Sequence, residues 1–443
     1  MRIALVSPKG PLYRSRGGIF KKSLRYQPLT LTTLAALAPP ELDIEFVLLD
    51  EGIEDIPLDL SADLIGFTVI TGSSRRAYEL AAHFRTRGIP IVLGGPHVTL
   101  LPEEAQQHAD AICVGYADDS WPQLLRDFAA GRMRRRYDQG HDFKLTNLPF
   151  PRRDLMEGRN FLTQAVFEAT RACAHDCEFC VVPTAWGRKQ FQKPVSHVVE
   201  DIRRVGARRI IFIDLNLVSD RNYAAELFEA LIPLNVRWFG LATSLIGRDR
   251  ALMELMARSG CAGLLIGLES ICEASLGDSR KRFNDPTLYG TLISDLHALG
   301  ISIQGCFVFG HDHDTTDVFA QTVQFCIDTA IDLPRFAILT PFPGTPLHRR
   351  LDQSGRILTK NWELYDGQHV VFAPKQMTPE QLQAGHESAW RDVYSYSSIA
   401  RRLGTARVQL PIAVMANLGY RYYAYHLDTH YTCDWPIGFK KAA

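Results

Sequence analysis

Arg171-Ala-Cys-Ala-His-Asp-Cys-Glu-Phe-Cys180 sets Cys173, Cys177 and Cys180 in the pattern C-x3-C-x2-C. Three thiolates this close along the chain can wrap three corners of a [4Fe–4S] cube. Such clusters are normally held by four cysteines, so a three-cysteine loop leaves one iron open to a ligand that is not protein. The competing reading is three small buried hydrophobes, because free cysteine packs as one. The other six cysteines (Cys113, Cys261, Cys272, Cys306, Cys326 and Cys433) are scattered, and the total of nine is odd. That is no disulfide framework, and it points to a reducing cytoplasm.

Outward from the loop, strand and helix patterns alternate. Apolar runs predict strands at Phe161–Ala169, Arg209–Asp214, Trp238–Ala242, Gly263–Leu268, Ile301–Phe309 and Phe336–Leu339. Helical periodicity fills the gaps at 196–205, 223–231, 248–259, 286–299 and 317–330. Six strands with intervening helices imply a curved parallel sheet, a partial (β/α)6 TIM-like barrel. Functional residues then belong at the strands' carboxyl ends, and the cysteine loop follows the first strand. Polar groups stand at several other strand ends: Asp214 and Asn216, Ser244, Glu269-Ser270, and Thr340 in Thr-Pro-Phe-Pro-Gly-Thr-Pro346.

Upstream, residues 1–145 predict a separate α/β unit. Strands are expected at Arg2–Ser7, Ile44–Leu49, Asp63–Ile70, Ile91–Leu93 and Ala111–Val114, with helices at 30–38, 74–87 and 121–128. This alternation predicts a parallel, doubly wound, Rossmann-like sheet whose ligand lies beyond the strands' carboxyl ends. Small residues cluster there: Thr71-Gly72-Ser73, Gly94-Gly95-Pro96-His97 and Gly115-Tyr116. Glycines let a backbone approach a large ligand closely, although tight turns use them as well. The basic run Arg132-Met-Arg-Arg-Arg136 is expected to be a solvated linker or helix end.

Composition sets the class. Hydrophobic residues make up 46% of 443, and 49 Lys+Arg balance 49 Asp+Glu. No global field favours nucleic acid. No apolar run approaches the roughly 18 residues of a membrane span, and Met1–Ser7 is too short for a signal peptide. Residues 351–443 look mostly helical, at 379–394 and 409–427. Tyr420, Tyr422, Tyr423 and Tyr425 in the latter either pack on the barrel or line a substrate cavity as a lid.

The cysteine spacing, with Phe179 before the third cysteine, resembles the radical S-adenosylmethionine (SAM) superfamily. Asp63-Leu-Ile-Gly-Phe-Thr68, Val92-Leu-Gly-Gly-Pro-His97 with Pro102-Glu-Glu104, and Ala109-Asp-Ala-Ile-Cys-Val-Gly115 resemble the cobalamin-binding domain that precedes many members. Leu148-Pro-Phe-Pro-Arg-Arg153 is similar to the proline-rich join of that family. The resemblance covers nearly residues 1–350. It implies a cobalamin domain at 1–145, a linker at 146–160 opening a barrel domain to 350, and a helical domain at 351–443. Cys173, Cys177 and Cys180 would hold the cluster, with SAM chelating the open iron. Asp214, Asn216, Ser244, Glu269 and Ser270 would meet the amino, ribose or carboxylate groups of SAM, and Phe309 would flank its adenine. Arg188 would sit near the cluster or a carboxylate. Thr71, Gly72, Ser73, Gly94, Gly95, Pro96, His97, Gly115 and Tyr116 would face cobalamin. The family's acidic residue after the glycine is replaced here by Tyr116, with Asp118-Asp119 beyond. No D-x-H-x-x-G loop exists, since Asp428-Thr-His430 has Cys433 in the glycine position. Cobalt would therefore lack a histidine ligand, and His97 would touch the corrin edge or tail.

The resemblance implies reductive cleavage of SAM and, in its commonest outcome, C-methylation of an unactivated carbon by way of methylcobalamin. A small-molecule or lipid-like substrate and a flavodoxin- or ferredoxin-like electron donor would be the partners. Cyclisation, ring contraction or oxidation with the same cofactors is the alternative, and a non-enzymatic cobalamin sensor or carrier a remote one. A tRNA methylthiotransferase needs three further cysteines upstream, where only Cys113 stands.

Overall fold

The computed structural model describes residues 1–10, 26–140, 143–146, 148–406 and 408–427. The Asp428–His430 and Cys433 positions lie outside them.

The amino-terminal sheet holds six parallel strands: β1 (Arg2–Ser7), β2 (Glu45–Asp50), β3 (Leu64–Thr68), β4 (Ile91–Gly94), β5 (Ala111–Val114) and β6 (Arg136–Asp138). Their order is β2-β1-β3-β4-β5-β6. The order reverses between β1 and β3, the crevice where doubly wound folds bind ligands. Helices cover both faces: α1 (Leu29–Ala36), α2 (Ser74–Thr86), α3 (Pro96–Leu100), α4 (Pro102–Gln106) and α5 (Ser120–Ala129). Val6, Ile65 and Leu93 pack with Leu80 and Phe84 of α2 on one face. Leu5, Val92 and Trp121 pack on the other. Burial on both faces explains the nearly unbroken apolar strands.

β6 corrects the expectation for the basic run. Arg136 opens an edge strand in register with β5, while Arg132 and Arg134 pair with Asp127. Arg-Tyr-Asp has no apolar pattern, and only Tyr137 is buried. Two short helices, α3 and α4, replace the loop expected after β4.

The second sheet is parallel and six-stranded, in chain order from β7 (Val166–Phe167) through β10 (Arg209–Phe212), β11 (Arg237–Ala242), β12 (Cys261–Glu269) and β13 (Ser302–Phe309) to β14 (Arg335–Ile338). β7 is shorter than the expected first strand. After it the chain turns into β8 (Thr170–Arg171), which pairs antiparallel with β9 (Phe191–Gln192). α6 (Val181–Trp186) leaves the cysteine loop. α7 (Val195–Val205), α8 (Arg221–Leu231), α9 (Arg250–Arg258), α10 (Glu273–Asp278), α11 (Pro286–Ala298), α12 (Val318–Asp328) and α13 (Pro346–Gln353) follow.

The sheet's two faces differ. Phe212, Trp238, Ile266, Phe307, Phe309 and Phe336 are buried against the helices. The residues between them share the concave face by strand register: Ile211, Phe239, Leu265, Cys306 and Ala337. These five are only half-buried, so the concave side is an apolar lumen rather than a packed core.

Three helices end the described chain: α14 (Pro379–Val393), α15 (Tyr396–Ala406) and α16 (Leu410–Ala424). α15 interrupts what looked like a loop. Arg402 on it is fully buried and donates to the carbonyls of Ile331, Asp332 and Val393 and to Asn417 Oδ1. One guanidinium thus ties these helices to the barrel. No helix is long and apolar enough to cross a membrane among the described residues.

Candidate active site

The cysteine loop starts where β8 ends, at a left-handed Ala172 (φ 64°). Cys177 is buried, and Cys173 and Cys180 are half-buried. A turn closes through the Cys180 amide donating to the Cys177 carbonyl at 3.1 Å. Burial pushes the Cys177 thiol up to about 12, Lys281 opposes this, and Cys180, Glu269 and Cys173 add to it. The three sulfurs thus share one electrostatic neighbourhood with Lys281 and Glu269. Among the described residues no three His, Cys, Asp or Glu side chains close on a single ion. Three thiols on one short loop, gathered about Lys281 and Glu269, are a donor set that fits a cluster, whose charge would hold coordinating thiols deprotonated.

The loop is braced from several sides. Arg171, two residues before Cys173, is gripped by Asp118 at 2.7 Å and Glu168 at 2.9 Å, and Lys193 completes the set at 2.9 Å from Glu168. Burial would raise the Glu168 carboxyl, but Arg171 and Lys193 hold it at about 2. Asp118 belongs to the loop after β5, so one ion pair couples the two sheets' carboxyl ends. Glu178, beside Cys177, pairs with Arg350 at 2.8 Å. Neither link is evident from sequence, because partners 53 and 172 residues apart leave no local signal.

Glu269 stands where expected, at the end of β12, in a left-handed conformation (φ 65°) with a register shift against β13. A strained non-glycine residue of this kind persists only where its surroundings hold it. Its carboxylate is buried and bonded to Lys281 Nζ. Burial opposes the Lys281 ammonium, yet Glu269 and the nearby thiols raise its pKa above the usual range. A side chain at Gly267 would meet Glu269 Oε1 and Lys281 Nζ, so this glycine makes room for the pair on the lumen face. Lys281 was not anticipated, nor was Asn284, which bonds Ser244 Oγ and the carbonyls of Gly267 and Leu268.

The other strand-end residues sort differently. Asp214 is buried and accepts from the amides of Ala169 and Thr170, so it positions the entry to the cysteine loop. Burial raises its carboxyl to about 6 against the amide donors. Asn216 is buried, and its Oδ1 has no partner, an orphaned acceptor of the kind a ligand donor satisfies. Ser270 Oγ accepts from the Cys272 amide at 3.0 Å. Phe309 faces the helices, 4.9 Å from Phe319; strand alternation gives the lumen to Val308 instead. Arg188 is exposed, 3.6 Å from Asp176.

At the amino-terminal sheet the expected cofactor-facing set is mostly engaged with protein. His97 is fully buried. Its Nε2 lies 3.1 Å from Tyr78 Oη and 3.2 Å from Glu104 Oε1, and Trp362 Nε1 donates to Glu104 Oε2 at 3.1 Å. The position is therefore neither a surface loop nor an open contact. Pro96 opens α3 and turns His97 inward. Gly94 and Gly95 serve close packing: a Cβ on Gly94 would lie 3.5 Å from that of Cys113, and one on Gly95 2.8 Å from the Val69 amide. Gly115 takes φ 84° against Gln139. Thr71, Gly72 and Ser73 form a buried single turn of 3-10 helix. Tyr116 stacks on Trp186 of α6 at 5.6 Å, with the Arg171 guanidinium over its ring. The carboxyl end of this sheet therefore faces the segment that follows the cysteine loop.

Known proteins agree with this arrangement. Residues 27–125 match the B12 binding domain and residues 167–326 the Radical SAM superfamily. The chain is 31% identical to the bacteriochlorophyllide d C-12(1)-methyltransferase of Chlorobaculum tepidum, over 85% of this chain and 84% of that one. It is 32% identical to the C-8(2)-methyltransferase of the same organism, over 84% and 87%. In fold it is similar to the radical SAM methyltransferase TsrM from Kitasatospora setae, solved with cobalamin and a [4Fe-4S] cluster, at TM-score 0.67 and 14% identity over 97% of this chain and 98% of that one. A B12 domain set against a three-cysteine barrel, together with this identity along most of the chain, makes it a member of the cobalamin-dependent radical SAM methyltransferase family, with a [4Fe–4S] cluster, SAM and cobalamin as its cofactors.

Proposed function

We propose that this enzyme transfers a methyl group from SAM to an unactivated carbon of an extended, largely apolar small molecule bound in the barrel lumen. The half-buried apolar concave face carries this reading. Ile211, Phe239, Leu265, Cys306 and Ala337 line it, and an apolar wall binds apolar substrate while excluding water from reactive intermediates. When bound, the cofactors supply the C–S cleavage and the methyl carriage. The protein's share is placement. Cys173, Cys177 and Cys180 hold the cluster, and the Glu269–Lys281 pair and Asn216 present polar groups to SAM. Asp214 and the Asp118–Arg171 bond fix the loop against the B12 domain. His97 is tied up by Tyr78 and Glu104, which favours cobalt without a histidine ligand. We divide the chain at residues 145 and 350, and we expect a flavodoxin- or ferredoxin-like reductant.

Two relatives are named for bacteriochlorophyllide methylation, so that tetrapyrrole is the first acceptor to assay. The reconstituted enzyme, methyl-deuterated SAM and reductant should yield a product heavier by one labelled methyl group on carbon. Acceptor oxidised or cyclised without label would replace methylation by the non-methylating alternative.

A further inference from the structure

The concave face also carries polar residues, Gln304 and Arg335 among them. Arg335 opens β14 in register with Cys306, which is in register with Gly267. The three residues form one rung of the concave face. Glu269 and Lys281 lie over its Gly267 end, and Arg335 stands at the other. Two strand spacings, roughly 10 Å, separate the Arg335 and Gly267 backbones.

Arg335 is exposed on that face, in register with Cys306, and Tyr420, Cys306, Tyr423 and Tyr394 lie within electrostatic range of its guanidinium. None of those neighbours is a carboxylate. Among the described residues the Arg335 side chain makes no ion pair and no hydrogen bond, whereas the largely buried Arg171 and Arg153 and the fully buried Arg402 all have partners. Polar groups stand beside it: Gln304, on the same face of β13, donates to Tyr420 Oη at 3.0 Å, and Tyr423 Oη donates to Gln368 Oε1 at 3.2 Å. Guanidinium is the side chain suited to a planar or tetrahedral oxyanion.

We infer that Arg335, flanked by Gln304, Tyr420 and Tyr423 of the barrel edge and α16, is the receptor for an anionic group of the substrate, a carboxylate or a phosphate monoester. Anchored there, the apolar remainder lies along the rung toward the Glu269 end, where the cofactors meet. The aromatic helix α16 then closes the anchored end of the substrate. This inference rests on the lumen being the substrate cavity.

The test uses decanoate, decyl phosphate and decanol, which share one apolar body, titrated calorimetrically into the reconstituted full-length enzyme. At least one anion should bind at least about tenfold more tightly than the alcohol, as a charge-assisted bond requires. The preference between the two anions identifies the group. R335Q should erase the gap between anion and alcohol and R335K retain part of it, while R237Q, at the lumen's outer rim, should leave it unchanged. Corrin absorbance kept after desalting reports that R335Q is folded. Equal binding of the alcohol, no binding by any of the three, or an undiminished gap in R335Q would overturn the inference. None of these outcomes bears on cofactor retention or SAM cleavage, so the anion site and the methyltransferase reading fail separately.

Discussion

Glu269 concentrates the site at the scale of single residues. It combines a left-handed backbone, a buried carboxylate and a lysine partner. Removing one member of a buried pair strands the other charge, so Lys281→Met should destabilise the protein by about 3–5 kcal/mol. Adding Glu269→Gln should restore part of that loss, read by urea unfolding. Cys177→Ala should abolish cluster iron and SAM cleavage while bound corrin persists, because the B12 domain is a separate sheet; loss of both cofactors together would contradict that separation. Asp214 adds a pH dependence. Its carboxyl titrates near 6 when folded against an ordinary 3.8, so between those values the native state keeps a proton the unfolded state releases. Stability contributed by this group is full below about pH 4 and falls by up to about 3 kcal/mol as pH rises to 6. In Asp214→Asn the urea midpoint should lose that part of its slope. The cysteines and Glu269 were legible because each lies in a local motif. Lys281, Asn284 and the amide partners of Asp214 were not, since contacts across the fold leave no spacing to read.

Among elements, the alternating strands declared themselves, and the failures share a cause. β6 is an edge strand with one buried residue, β7 is shortened by the turn into β8, and α3 follows a glycine pair that read as loop. Short or half-exposed elements bury too little apolar surface to impose a pattern. The face of a strand residue was harder still: Phe309 looked like a lumen group, and only the register with β12 and β14 assigns it to the helix layer. α15 went unseen although it carries Arg402, whose four acceptors join it to the segment before β14, to α14 and to α16. Arg402→Leu leaves the Ile331 carbonyl and Asn417 Oδ1 buried without this donor, while Asp332 and Val393 keep Asn417 Nδ2 and Ser398 Oγ, and should cost about 3 kcal/mol. Thermal unfolding measures this, and a loss below about 1 kcal/mol would show that the carboxyl-terminal helices hold by apolar packing alone.

For the whole molecule, the question is how two cofactor domains share one chemistry. Asp118 joins the B12 domain to Arg171, two residues ahead of Cys173. Asp118→Ala should leave SAM cleavage and corrin binding measurable but lower the yield of methylated product per SAM consumed, by roughly tenfold if reactive groups drift by about 1 Å. An unchanged ratio would reduce this ion pair to a stabilising bond. The central claim is that both cofactors work on one chain, and its most direct test is anaerobic reconstitution with iron, sulfide and hydroxocobalamin, then desalting and incubation with SAM and reductant. Corrin absorbance retained on the protein together with 5′-deoxyadenosine formed from SAM is the predicted result. Deoxyadenosine without retained corrin would contradict it, and would leave an ordinary radical SAM enzyme behind an unexplained doubly wound domain.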